Sequence, residues 1–125
     1  MATVDVTNET FESTIKDNDT VIVDAWASWC GPCRQFAPIF EKASEDHKDV
    51  VFAKLDTDAN QEVSAALGIQ AIPSIFLFRE GVLLFQHSGV LPPQAIDDVL
   101  KQAAELDMDD VRKQIADEQG KAPEA

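Results

Sequence analysis

Residues 20–33 run TVIVDAWASWCGPC, and the architecture turns on how these fourteen positions are read. Thr20 to Ala27 is nearly all apolar and rich in β-branched residues, as expected of a central strand buried on both faces. One charged residue, Asp24, interrupts it. The only two cysteines, Cys30 and Cys33, follow directly, with Gly31 and Pro32 between them. Proline is at ease in the first turn of a helix, where its missing N–H is not needed. From Cys30 to about His47, Phe36, Ile39, Phe40 and Ala43 recur at helical spacing. A buried strand therefore delivers a cysteine pair to a helix start.

On the amino-terminal side, Thr3 to Val6 alternates polar and apolar residues and is expected to be a short first strand. Asn8 offers an N-cap for a helix carrying Phe11 and Ile15 and ending near Lys16. On the other side, Val50 to Leu55 is a further buried-type strand, and Asn60 to Leu67 a short helix closed by Gly68. Ser74 to Phe78 and Val82 to Gln86, joined through Glu80-Gly81, have the signature of an antiparallel hairpin. Pro92-Pro93 opens a helix with Ile96, Val99, Leu100 and Ala103 on one face. The expected fold class is α/β: a mixed sheet of about five strands with helices on both faces.

The chain has 125 residues, which is one domain's worth. Twenty-three acidic against ten basic residues leave a net charge of −13. Such a surface repels phosphate backbones and anionic lipid, which argues against nucleic-acid and membrane-surface roles. Met1 to Phe11 holds no Lys or Arg and no apolar core, so a secretory leader is not expected and a cytoplasmic location is. A disulfide between cysteines three apart would constrain little of the unfolded chain. Reversible redox chemistry, or half of a metal site, is the better reason for the pair.

The segment Trp29-Cys30-Gly31-Pro32-Cys33, the strand residue Asp24, Lys54 and Asp56 on the next strand, Ile72-Pro73 and Gly89 together resemble thioredoxin. The resemblance runs from Asp5 to about Ala104. It implies a thioredoxin-like fold over residues 1–105 and a general protein-disulfide reductase, an electron carrier in cell redox homeostasis. The implied partners are thioredoxin reductase, which passes on electrons from NADPH, and disulfide-containing clients. No bound cofactor or metal is implied, and a monomer is expected. The matching family aspartate lies beneath the resolving cysteine and assists its deprotonation, which assigns that role to Asp24 with Lys54 as its neighbour. Ile72-Pro73 resembles the cis-proline loop whose backbone binds an extended substrate; from sequence alone, a trans proline starting a strand fits as well. Trp29, Gly31, Pro32, Ile72, Pro73, Gly89 and Val90 would form the substrate groove. Ser74 stands where Thr is usual, and Ala71 where Gly is common.

The residues carry an independent chemical argument. Cys30 at a helix start meets unpaired N–H groups and the positive end of the macrodipole, which favour its thiolate, the attacking species. Following Ser28 and Trp29, it is expected to be the accessible sulfur and the nucleophile. Cys33, one turn on, is expected to be shielded and to resolve the mixed disulfide. Asp24 inside an apolar run should have a raised pKa; a purely structural pairing with Lys54 is the competing reading. Trp26 is expected in the core, Pro38 inside the helix, where it should cost one ladder bond and bend it, and His47 and His87 at the surface. Two other functions fit the cysteine pair less well. A metal-binding module would need two chains to complete a tetrahedral site, and a chaperone-like subunit would use the apolar groove alone.

Beyond Ala104 the sequence continues as ELDMDDVRKQIADEQ. Asp107 can cap a short extra helix with Met108, Val111 and Ile115 as its apolar edge. Residues 106–125 are therefore expected to be an acidic extension, weakly docked or solvated, with a frayed end from Gly120.

Overall fold

The computed structural model describes residues 2–120. In chain order the elements are β1 (Thr3–Val6), α1 (Phe11–Asp17), β2 (Thr20–Trp26), α2 (Gly31–Asp46), β3 (Val51–Asp56), α3 (Gln61–Ala66), β4 (Ser74–Arg79), β5 (Val82–Ser88), α4 (Pro93–Glu105) and α5 (Met108–Gly120). The five strands form one sheet in the order β1-β3-β2-β4-β5. β1 and β2 lie parallel to β3, whereas β4 is antiparallel to both β2 and β5. The mixed sheet expected from the sequence is present, with β2 at its centre.

Side-chain alternation along β2 divides the core in two. Val21, Val23 and Ala25 pack with Leu55, Phe76 and Ile15 on the face covered by α1 and α3. Ile22 points the other way, into Phe36 and Phe40 of α2 and Ile96 and Leu100 of α4. Asp24, two residues from Ile22, falls on this second face, and its strand neighbours in register are Lys54 and Ile75. Burial on both faces explains why β2 is apolar from Val21 to Ala25 except at Asp24, which is itself 0% exposed.

Several local expectations are revised. Asn8 does not cap α1, which begins after Thr10. Asn8 is used across the fold instead: its N–H donates to Asn60 Oδ1, and its own Oδ1 accepts from the Val63 N–H, both at 3.0 Å. His47 and His87, expected at the surface, are half-buried there. The His47 ring stacks on Phe52 and places Nε2 2.7 Å from Asp97 Oδ1, while His87 stacks on Phe85. The helix α2 runs through Pro38 without interruption.

The hairpin β4–β5 turns through Glu80 and Gly81, both with positive φ (51° and 80°), the two-residue loop whose twist suits a hairpin. Arg79 just before it is largely buried and donates from Nη1 to the carbonyls of Ala103 and Leu106, each at 2.8 Å. These bonds satisfy carbonyls at the end of α4. Asp107 Oδ1 accepts from the N–H groups of Asp109 and Asp110, as expected of a cap. Met108 is buried, and Arg112 bridges Glu80 at 2.7 Å and Asp109 at 2.6 Å. The extension thus docks on the hairpin turn, at the end of β4 opposite Ser74. Gly120 belongs to α5, and the expected frayed end beyond it lies outside the described residues.

Candidate active site

β2 ends at Trp26, and a short loop carries the chain to Cys30 beyond the carboxyl ends of the parallel strands, where open α/β sheets place their reactive groups. Cys30 is the N-cap of α2, with extended backbone angles. Its Sγ accepts the Cys33 N–H at 3.2 Å, and its carbonyl accepts the Arg34 N–H at 3.2 Å. Cys30 and Cys33 are joined as a disulfide with their Cα atoms 5.2 Å apart. The same N–H at the positive end of α2 favours a thiolate on Cys30 when the bond is reduced.

The expected contrast in exposure between the two sulfurs is not found. Cys30 is 4% exposed and Cys33 3%. Both sit in one small cluster with Ala27, against Trp26 and Ile72. Cys30 Sγ lies 3.7 Å from the Ile72 carbonyl, so the proline loop covers it. What separates the two sulfurs is the hydrogen bond to Cys30 from the helix start.

The peptide bond Ile72–Pro73 is cis, which decides a point the sequence left open. The Gly89 N–H donates to the Pro73 carbonyl at 2.8 Å and holds Gly89 and Val90 beside the proline. Trp29 is 67% exposed, and its Nε1 donates to Asp58 Oδ2 at 2.9 Å. A groove of about 410 Å³ leads away from Trp29 and Ile72 toward Ile69 and Ser64. Pro32 and Val90 are exposed, Gly31, Ile72 and Gly89 partly so, and Pro73 is buried. The Ser74 hydroxyl donates to the Ala71 carbonyl and closes the loop on itself at the two positions where the sequence departs from the usual residues. A larger groove of about 510 Å³, between α1 and α3, contains Phe11, Ile15 and Val63 but no cysteine. Chemistry, not size, locates the site.

Asp24 lies beneath α2, fully buried, and neither carboxylate oxygen has a hydrogen-bond partner among the described residues. Burial pushes its pKa up to about 7, against a smaller opposing pull from the Lys54 ammonium. Lys54 is its register neighbour on β3 but makes no ion pair with it among the described residues, so the structural-pairing reading loses its basis. Trp26 is half-buried rather than fully in the core, and the Lys54 ammonium lies over its ring.

Two side chains bonded to the loop that carries the cysteines were not legible in the sequence. Asp58, which fixes the Trp29 ring, is 29 residues away from it. Arg34, whose Nη1 donates to the Ser28 carbonyl at 2.8 Å, has no motif of its own. Among the described residues no group of three or more His, Cys, Asp or Glu side chains is arranged to hold a metal ion, and the two cysteines are bonded to each other.

A family profile described as Thioredoxin matches residues 2–102. The chain is 49% identical to Putative thioredoxin 2 of Streptomyces coelicolor over 121 residues, 97% of this chain and 90% of that protein. A thioredoxin of Alicyclobacillus acidocaldarius is 40% identical over 97 residues, 77% of this chain and 92% of that protein. Among solved structures, a mutant thioredoxin from Halobacterium salinarum superposes with a TM-score of 0.77 at 32% identity, over 83% of this chain and 92% of that one. Plasmodium falciparum thioredoxin gives 0.73 at 30% identity, over 80% and 97%.

Proposed function

The chain belongs to the thioredoxin family and is a thiol-disulfide oxidoreductase, and we propose that it acts as a general protein-disulfide reductase with Cys30 as nucleophile and Cys33 as resolving thiol. The observation that carries the assignment is the helix-start geometry, in which Cys30 Sγ accepts the Cys33 N–H. In the reduced protein, the Cys30 thiolate attacks one sulfur of a client disulfide. The client bond breaks, a Cys30–client disulfide forms, and the first client thiolate leaves and takes a proton. Cys33 then loses its proton and attacks Cys30 Sγ. The mixed bond breaks, the second client thiolate leaves, and the Cys30–Cys33 disulfide forms; two electrons have passed to the client.

Asp24 is the proton acceptor for Cys33 in this reading. Its position on the face beneath α2 and its pKa of about 7 suit it to exchange a proton near neutrality. Lys54 tunes that carboxylate through space. Trp29, Gly31, Pro32, Ile72, Pro73, Gly89 and Val90 form the surface on which an extended client segment lies, with the Ile72–Pro73 backbone offered like a strand edge.

Re-reduction by thioredoxin reductase with electrons from NADPH, a cytoplasmic location and action as a monomer complete the proposal. No helix among the described residues is long and apolar enough to cross a membrane. Residues 1–105 would form the reductase domain, with 106–125 appended to it. The test is reduction of insulin disulfides by the purified chain with NADPH and thioredoxin reductase. Turnover that disappears in the Cys30→Ser/Cys33→Ser double variant supports the reading. Absence of turnover, with the groove still binding unfolded protein, would favour a chaperone-like role.

A further inference from the structure

The chain carries a net charge of −13, yet no acidic residue stands in the first turn of α2. The charged side chain placed there is a cation, Arg34. A cation near a helix start opposes the positive end of the macrodipole, so helix stability does not explain it. The residue is exposed, and its guanidinium Nη1 donates to the Ser28 carbonyl at 2.8 Å. Arg34 and Lys54 both line a cleft of about 110 Å³ that also borders Cys33 and Trp26, and no acidic residue lines it.

We propose that Arg34 is a positioning residue for the resolving step, holding a fixed positive charge at the cleft beside Cys33 so that its thiolate forms more readily. The proposal rests on the reductase reading and deepens it. Cys33 is otherwise poorly placed to ionise, since its sulfur is buried among Ala27, Trp26 and Ile72. The charged and titratable groups facing it are few. Lys54 of β3 and Arg34 of α2 line the cleft with it, Cys30 of α2 is bonded to it, and Asp24 of β2 lies on the sheet face that α2 covers. The proline loop (residues 70–74) and Gly89–Val90 contribute none. As Asp24 takes the proton, the anion on Cys33 must survive until it attacks Cys30 Sγ and expels the client thiolate. The Lys54 ammonium is spread over the Trp26 ring at 5.3 Å from its centroid, which leaves Arg34 as the second cation on the cleft.

The test follows the reduced protein reacting with a neutral chromogenic dipyridyl disulfide in stopped flow. The first release of pyridine thiolate reports Cys30, and the second reports Cys33 attacking the mixed disulfide. Arg34→Gln should slow the second release about threefold below neutral pH, as expected of one screened charge within a helical turn. It should also move the pH midpoint of that step upward. Arg34→Glu should do so more strongly, and Arg34→Lys should restore the wild-type profile, while the first release changes less. An unchanged second-release profile in both Gln and Glu variants would overturn the proposal. So would an Arg34→Lys protein as slow as Arg34→Gln, because the Ser28 bond and not the charge would then be responsible. The reductase reading fails separately, through loss of insulin reduction in the unaltered chain.

Discussion

Asp24 and Lys54 are register neighbours on adjacent parallel strands, yet the ammonium lies over the Trp26 ring and not on the carboxylate. The carboxylate is left fully buried without a hydrogen-bond partner among the described residues. Such an arrangement costs stability whenever Asp24 is ionised, and it leaves a carboxyl that titrates near neutrality on the sheet face that α2 covers.

Asp24→Asn should therefore stabilise the oxidised protein at pH 8. Unfolded Asp24 ionises near pH 4, whereas the folded residue holds its proton until about pH 7. Between those values the unfolded state binds fewer protons, so stability falls as pH rises, and above the folded pKa the penalty stays constant. A shift of this size corresponds to at most about 4 kcal/mol, less about 1–3 kcal/mol for leaving a buried amide unpaired. Urea unfolding should show the variant ahead at pH 8 and the gap closing toward pH 4. A variant less stable at pH 8 and unaltered in its resolving step would falsify the role given to Asp24.

Lys54→Met should push the Asp24 pKa still higher, because the ammonium is the one influence that lowers it. The pH midpoint of the resolving step should move upward with it. Titration of the Asp24 carboxyl carbon by NMR gives the direct measurement, and a downward or absent shift would remove Lys54 from the site.

The two cysteines should behave differently despite equal burial. Cys33→Ser should attack client disulfides and stop as a mixed disulfide at Cys30, visible on non-reducing gels and located by mass spectrometry. Cys30→Ser should trap almost nothing. Equal trapping by both variants would mean that the bond from the Cys33 N–H does not select the nucleophile.

Removal of residues 106–125 should leave insulin reduction intact, because α5 docks at the hairpin end of the sheet and not beside the dithiol. It should nevertheless lower stability by about 2 kcal/mol, the scale of burying one Met side chain. Thermal unfolding should show a drop in Tm of several degrees. A truncated chain that folds but no longer reduces insulin would place the extension within the active machinery.

Arg79→Ala should cost about 1–3 kcal/mol through loss of its charged hydrogen bonds to the Ala103 carbonyl, which keeps the Leu106 N–H as a donor, and to the Leu106 carbonyl. In the truncated chain the same substitution should cost less, since Leu106 is then absent. Equal costs in the two backgrounds would show that Arg79 does not couple α4 to α5.

The central elements and the reactive centre could be read from local order along the chain. β2 and its flanking strands were legible because burial on both faces demands unbroken apolar runs. The Cys30–Cys33 pair at the start of α2 was legible because strand, proline and helical stripe are local signals. The raised pKa of Asp24 followed from a carboxylate set inside an apolar run. Whatever depends on distant partners had to wait for the assembled fold. Asn8 looked like a cap but bonds Asn60 and Val63 instead, since a side-chain amide takes whichever partners the fold brings near. Lys54 went to Trp26, Asp58 to Trp29, and Arg79 to the end of α4, none of which any sequence spacing encodes. The equal burial of the two sulfurs likewise came from the proline loop, 42 residues beyond Cys30 and closing over it only when the sheet assembles.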